Sequence, residues 1–173
     1  MTQYNTGKPQ RGPHGGGGRY EGPGRGYGGQ AQRQPEDSIA NHWPEYLKDG
    51  YFDDKGCLKI EYVSREKVEN LARKMANMTI HQIRRYFGHC RAIETRLRGG
   101  EPWESVWPEV KKLDIAAADG AAKQPPKIPP LFHDFIRRNV DKIKSEKDFL
   151  KGFLPHFEAL IGFGQAYFKK ERN

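Results

Sequence analysis

Residues 79–98 combine an apolar stripe with a dense row of cations, both at the spacing of an α-helix. Thr79 is followed three residues later by Gln82, the pattern of a capping box, in which the two residues satisfy each other's free backbone N–H groups. Gly99 and Gly100 predict the end of this helix. The apolar positions recur at steps of three and four, which predicts one face packed in the core. That face consists of Ile83, Tyr86, Phe87, Cys90, Ile93 and Leu97.

Five arginines project from the rest of the same predicted helix. Arg84, Arg91 and Arg98 are spaced by seven along one edge, and Arg85 and Arg96 flank the other edge. A guanidinium donates two parallel hydrogen bonds to a phosphate and stacks on bases, so the pattern predicts an RNA or DNA backbone as the ligand. The alternative is a solvated face whose arginines pair with acids elsewhere in the fold.

The positive charge of the chain is concentrated around this helix. The formal net charge is +8, and residues 70–98 carry seven bases and one acid, a net +6. The preceding residues 36–69 carry five bases and nine acids. A localised cationic segment is the footprint expected of phosphate binding. The acidic stretch before it can also serve a neighbouring basic surface.

The first 35 residues hold eleven of the twenty glycines, with Arg-Gly and Gly-Tyr steps and almost no aliphatic side chains. Such a composition buries too little apolar surface to offset the entropy of ordering, so we expect a disordered tail. Arg, Gly and Tyr can add weak electrostatic and stacking contacts to single-stranded nucleic acid. A solubilising tail without a partner is the alternative.

Residues 36–173 are predicted to form one domain, with an irregular lead-in over 36–63 and a helical bundle over 64–173. Apolar residues recur at helical steps over 65–77, 79–98, 108–118 and 131–143, and again from Ser145 onward, where Pro155 should kink or split the last helix. Trp103 and Trp107 are expected in a separate turn before the third helix. No segment alternates with a period of two, so the predicted fold is all-α, a compact bundle of about five helices.

Catalytic and membrane patterns are missing from the sequence. The six histidines and two cysteines show no metal-ligand spacing, and no hydrolase or phosphate-loop motif occurs. We therefore expect no enzyme activity, no metal and no cofactor, and we expect Cys57 and Cys90 to be free thiols. No apolar run approaches the roughly 18 residues of a membrane span, which predicts a cytoplasmic protein with no membrane partner.

Several blocks of the chain, in order, resemble the small helical subunit of type III-A CRISPR effector (Csm) complexes, over about residues 51–168. The blocks are YFDDKGCLKIEYVSREKVENLARKMANMTIHQIRRYFGHCRAIE, KKLDIAAADGAAK, LFHDFIRRNVDKI and FLPHFEALIGF. The most specific parts are QIRRYF at residues 82–87 and Phe-Glu-Ala at residues 157–159.

The resemblance implies a non-enzymatic subunit present in more than one copy. Copies would stack in a filament beside the backbone subunits and face the duplex of guide RNA and target RNA. After the third helix the family usually has an aromatic and then a basic residue, where this chain has three alanines at residues 116–118 and only Lys123. Lys123 is the candidate contact there. The family's other contacts carry over to Gln82, Arg84, Arg85 and Arg91, and by the same helical face to Arg96 and Arg98.

Two other classes of function remain open at this point. A stand-alone single-stranded RNA-binding protein or RNA chaperone would use the same arginines and the tail, and would bind RNA tightly on its own. An effector subunit should bind weakly until its partners align it. A nuclease would need clustered acids or a metal, which the sequence lacks.

Overall fold

The computed structural model describes residues 38–170, and within this range the chain contains helices and no β-strand. Short 3-10 turns lie at Ile39–Asn41 and Ile60–Tyr62. The five α-helices are α1 (Arg65–Lys74), α2 (Ile80–Arg98), α3 (Trp103–Ala122), α4 (Pro130–Lys142) and α5 (Leu154–Gly164). The predicted all-α fold of about five helices is confirmed. The predicted disordered tail at residues 1–35 lies outside the described residues.

Helix α2 begins and ends where the sequence predicts. Thr79 Oγ1 accepts a hydrogen bond from Gln82 N at 3.1 Å, and Gln82 Oε1 accepts one from Thr79 N at 2.9 Å. Gly100 adopts φ +88°, a left-handed conformation that favours glycine and stops the helix. Both limits of α2 therefore follow from local backbone chemistry.

The helices surround an aromatic core. Helix α1 packs on α5, α3 packs on α4, and α2 contacts both α3 and α5. Phe135, Phe153 and Phe157 are fully buried, and the ring centroids of Phe153 and Phe157 lie 5.5 Å apart. Aromatic pairs at this distance stabilise a core beyond the apolar area that they bury. Phe135 on α4, Phe157 on α5 and Phe153 just before α5 thus form the centre of the core, and α2 contacts it through the edge-on packing of Phe87 against Phe157.

A directed chain of hydrogen bonds ties the lead-in to α4 and α5. The Tyr51 hydroxyl donates to Asn139 Oδ1 at 2.8 Å, and Asn139 Nδ2 donates to the Tyr46 hydroxyl at 2.6 Å. Tyr46 donates in turn to His156 Nε2 at 2.8 Å, and His156 Nδ1 donates to the Tyr62 carbonyl at 2.6 Å. Because a carbonyl only accepts, His156 carries its proton on Nδ1. The chain satisfies buried polar groups that would otherwise destabilise the fold.

The predicted break before the third helix is wrong. Helix α3 runs without interruption from Trp103 to Ala122, so Trp103 and Trp107 lie within it rather than in a separate turn. Pro108 is the sixth residue of the helix, where a proline removes only one intrahelical hydrogen bond and the next turns pack against the core. Gly120 is also part of this helix. It is buried because the side chain of Ile128 packs against it.

The first and last helices are shorter than predicted. The segment 65–77 is helical only to Lys74, because the chain turns there and buries Met75 and Met78. Phe168, expected in the last helix, lies beyond its end, where its ring occupies the space left by the missing side chain of Gly164. The residue after Phe168 pairs through its backbone with Met78 and Ile80, so the end of the described chain lies against the start of α2.

The expected disruption near Pro155 is confirmed. A π-helical turn at Asp148–Phe153 precedes α5, and Pro155 is the second residue of α5. Gly152 in this turn is required by packing, because a β-carbon there would lie 2.6 Å from Tyr51 Cγ. The turn therefore lets the lead-in approach the backbone closely.

The lead-in contacts the bundle as predicted. Trp43, Tyr46, Leu47 and Tyr51 are buried, whereas Phe52 is partly buried. The expected free thiols are confirmed, with Cys57 exposed and Cys90 buried. No helix in the described range is both long and apolar enough to span a bilayer.

Candidate nucleic-acid interface

The apolar stripe of α2 is buried at four of its six predicted positions. Ile83, Cys90, Ile93 and Leu97 lie in the core. Tyr86 and Phe87 are only partly buried, which corrects the prediction that the whole stripe is core. Both sit at the margins of the stripe: the Tyr86 hydroxyl donates to the Ala116 carbonyl on α3 at 3.1 Å, and the Phe87 ring lies near Arg91.

All five predicted arginines of α2 are exposed, but three of them are paired within the protein. Glu94 is buried, with 8 % of its surface exposed, and accepts from Arg91 Nη1 at 2.6 Å and from Arg98 Nη2 at 2.8 Å. The spacing of these three residues, i to i+3 and i to i+4, is the local signal for such pairs. Glu94 is thus the internal counter-ion of two predicted RNA contacts.

Arg96 is held by the loop that follows α2. Its Nε donates to Glu101 Oε2 at 2.7 Å and its Nη2 donates to Glu101 Oε1 at 2.5 Å. The Ser105 hydroxyl donates to the same carboxylate at 2.8 Å. These bonds, those from Arg96 above all, lower the pKa of Glu101 to about 2. Arg96 therefore meets a fully ionised partner at neutral pH.

Arg84 and Arg85 are the unpaired arginines of α2. Neither side chain makes a hydrogen bond or an ion pair with another residue in the range 38–170, and both residues are exposed. Gln82, in contrast, is fully engaged: Oε1 completes the capping box and Nε2 donates to the Lys127 carbonyl at 2.6 Å. Gln82 thus joins the start of α2 to the loop before α4.

A cleft of about 570 Å³ lies between α2 and α3, on the side of α2 that carries Arg85. Its floor is apolar and includes Tyr86, Leu113, Ala116 and Ile128. Tyr86 is fixed by its hydrogen bond to α3 and by edge-on packing against Phe132, with ring centroids 5.0 Å apart. The floor is therefore part of the packed structure.

Cations surround the rim of this cleft. Lys112 pairs with Glu109 at 2.8 Å, and Lys123 pairs with Asp119 at 2.6 Å. Arg85 and Lys127 line the cleft without a side-chain partner among the described residues. The lining residues include four Lys and Arg side chains and one acid, so the cleft favours anions.

A model of one protein family, described as Csm2 Type III-A, matches residues 60–170. The chain belongs to the Csm2 family. This family is the small structural subunit of the type III-A CRISPR complex, so the chain is a subunit of such a complex and has its other subunits as partners. No curated protein and no solved structure matches the chain.

The Csm2 match covers every predicted contact residue but did not by itself indicate the cleft. Lys112 was missed by sequence reasoning, although Lys112, Ala116, Asp119 and Lys123 recur at helical steps and mark one face of α3. Lys127 has no such signal. Lys127 reaches the cleft because its backbone N–H donates to the Gly120 carbonyl at 2.9 Å and its carbonyl accepts a hydrogen bond from Gln82 Nε2 on α2.

No cluster of His, Cys, Asp and Glu side chains within residues 38–170 is arranged to hold a metal ion. Burial raises the pKa of the Cys90 thiol well above its usual range, which keeps it protonated and unreactive. The neighbouring His89 contacts the Glu109 carbonyl through Nε2 at 2.9 Å. His89 therefore faces α3.

Proposed function

We propose that this Csm2 subunit contacts the backbone of guide RNA and target RNA through the exposed side of α2, without catalysis and without a cofactor. The observation that carries the proposal is the pair Arg84 and Arg85, two adjacent guanidiniums that are exposed and unpaired within the described structure. An unpaired guanidinium can bind a phosphate without first giving up a carboxylate.

The pairing of the other arginines implies an order of importance. Arg91, Arg96 and Arg98 each keep donors that face solvent, because a guanidinium has five N–H groups and one carboxylate uses at most two. Their charge is already balanced in part by a carboxylate, so each should contribute less to RNA affinity than Arg84 or Arg85. Lys123 contacts phosphate from the rim of the cleft, and Gln82 acts by holding the neighbouring loop.

The proposed function includes contacts with copies of the same subunit and with the backbone subunits. A filament needs two different surfaces on each copy, because a head-to-tail contact joins unlike patches. Ile60 and Ile115 are large apolar side chains that are 77 % and 68 % exposed, and they lie on separate elements, the 3-10 turn before α1 and helix α3. They are candidate points of contact for two neighbours.

The RNA contact is tested by neutralising Arg84 and Arg85 in the assembled complex. Each phosphate contact to a single strand contributes about −0.7 to the slope of log affinity against log salt concentration. The variant Arg84→Gln/Arg85→Gln should therefore flatten this slope by about 1.4. Because phosphate contacts carry no sequence information, the variant should also weaken binding equally for two unrelated target RNAs, each matched to its own guide.

The matched control is Lys144→Gln/Lys151→Gln, which removes the same charge from two exposed positions, one shortly before the π-helical turn and one within it. It should leave the salt slope unchanged. An unchanged slope in the arginine variant would place Arg84 and Arg85 in contacts with protein instead. RNA binding by the isolated chain that is as tight as binding by the complex would indicate the alternative, an RNA-binding protein that acts alone.

A further inference from the structure

We propose that the cleft between α2 and α3 holds a single nucleotide, with its base on the apolar floor and its phosphate at the rim beside Arg85 and Lys127. The proposal rests on the proposed RNA contact and adds the chemistry that this contact recognises: an unstacked base as well as a phosphate. The rest of the exposed side of α2 offers the cations Arg84, Arg91 and Arg98.

The size and lining of the cleft suit a base. Its volume of about 570 Å³ falls within the range of small-ligand sites, roughly 300–1,000 Å³. Unstacked bases bind in pockets where their faces contact apolar and aromatic side chains. Gly120 lets two residues of the floor, Ile128 and Tyr86, pack closely against the backbone of α3. A β-carbon at this position would lie 3.2 Å from Ile128 Cγ1 and 3.5 Å from the Tyr86 hydroxyl.

Polar groups at the cleft are available for the edge of a base. His89 lines the cleft, and its Nε2 donates to the Glu109 carbonyl at 2.9 Å. Because a carbonyl only accepts, neutral His89 carries its proton on Nε2 and keeps Nδ1 as an acceptor, for example for an exocyclic amine. The hydrogen bond from Gln82 to the Lys127 carbonyl holds the loop that forms one end of the cleft.

The charges at the rim select a phosphate-bearing ligand over an apolar one. Arg85 and Lys127 have no side-chain partner among residues 38–170, whereas Lys112 and Lys123 each have a carboxylate. Two unpaired cations at the mouth of an apolar recess are complementary to a nucleotide, which carries an anionic phosphate and an uncharged planar base. A nucleotide of an RNA strand and a free nucleotide present the same chemistry to this site.

The first test fills the cleft without changing its charge. Ala116 and Ala122 are both exposed alanines of α3, but Ala116 lines the cleft and Ala122 does not. In the assembled complex, Ala116→Leu should weaken RNA binding by about 5- to 150-fold, the range for losing one stacked base. Ala122→Leu should bind RNA like the wild type, and both variants should melt like the wild type because the substitutions are exposed.

A second pair of variants separates the cleft from the rest of α2. Arg85 lines the cleft and Arg84 does not, although both are exposed and unpaired. The effects of Ala116→Leu and Arg85→Gln should be non-additive, because both act on the same bound nucleotide, whereas Ala116→Leu and Arg84→Gln should add. Additive effects in both combinations would overturn the assignment of Arg85 to this site.

The source of the nucleotide is identified with two probes. Target RNAs that carry one abasic nucleotide, placed at each position in turn, should bind the wild-type complex more weakly at one or more positions, and should show no such loss with Ala116→Leu. Alternatively, AMP, CMP, GMP or UMP should bind the full-length chain, and Ala116→Leu should abolish that binding. Either result supports the site and names its source, and the absence of both overturns it.

The outcomes also separate this proposal from the proposed function. If Arg84→Gln/Arg85→Gln flattens the salt slope while Ala116→Leu binds RNA like the wild type, the nucleotide site fails and the backbone contact stands. If neither variant changes RNA binding, both proposals fail.

Discussion

Acidification tests the buried chain of hydrogen bonds that ties the lead-in to the bundle. His156 is fully buried, and burial lowers its pKa from the ordinary value of 6.5 to about 4. In the unfolded chain the same imidazole takes up a proton near pH 6.5. As the pH falls from 6.5 toward 4, the unfolded state therefore binds a proton that the folded state does not, and the free energy of unfolding falls. Above pH 6.5, His156 adds no pH dependence.

The magnitude follows from the difference between the two pKa values. One pKa unit corresponds to 1.36 kcal/mol, so the full shift amounts to about 3 kcal/mol, and the interval from pH 6.5 to 5 accounts for about 2 kcal/mol. Carboxylates with a lowered pKa, such as Asp134 and Glu101, act in the same direction but only near and below their ordinary pKa values of about 4. The interval between pH 6.5 and 5 therefore isolates the buried imidazole.

The assay is urea unfolding followed by circular dichroism at a series of pH values and constant ionic strength. His156→Gln keeps a donor and an acceptor but does not titrate, so its free energy of unfolding should vary with pH by about 2 kcal/mol less than that of the wild type over this interval. His81→Gln, at an exposed position in the first turn of α2, is the control and should keep the wild-type dependence. A wild type whose stability is constant from pH 6.5 to 5 would refute the reasoning.

Three further predictions concern the bundle and α2. In thermal unfolding, Gly162→Ala should stabilise the fold by up to about 1 kcal/mol, because the added β-carbon meets open space. Gly164→Ala should destabilise it by about 1–3 kcal/mol, because the added β-carbon overlaps the Phe168 ring. Equal effects of the two variants would contradict this packing. Phe157→Ala should cost about 3–5 kcal/mol, and Phe87→Ala, at a partly buried position, clearly less; a larger loss for Phe87 would show that the facing of α2 is wrong. Glu94→Gln removes the carboxylate that binds Arg91 and Arg98, and it should lower the dissociation constant of the complex for RNA at low salt. A higher dissociation constant would mean that Glu94 positions those arginines for RNA.

The sequence by itself determined features that depend on residues close together in the chain. The limits of α2 follow from Thr79, Gln82 and Gly100, because capping bonds and a left-handed glycine act within one helical turn. The pairs of Glu94 with Arg91 and Arg98 have the same local origin, since residues three and four apart are neighbours on a helix. The all-α fold and the Csm2 family also follow from the order of such local patterns.

Only the tertiary structure decided which cations are unpaired and which meet at the cleft. Lys127 lies 42 residues beyond Arg85 in the sequence, and packing of α2 against α3 brings both to one rim. The same packing carries α3 through Pro108, because buried turns on either side outweigh the loss of one hydrogen bond. A helical period indicates which side of a helix is apolar, but it does not indicate which neighbour covers the margin of that side, because that depends on contacts between residues distant in the chain.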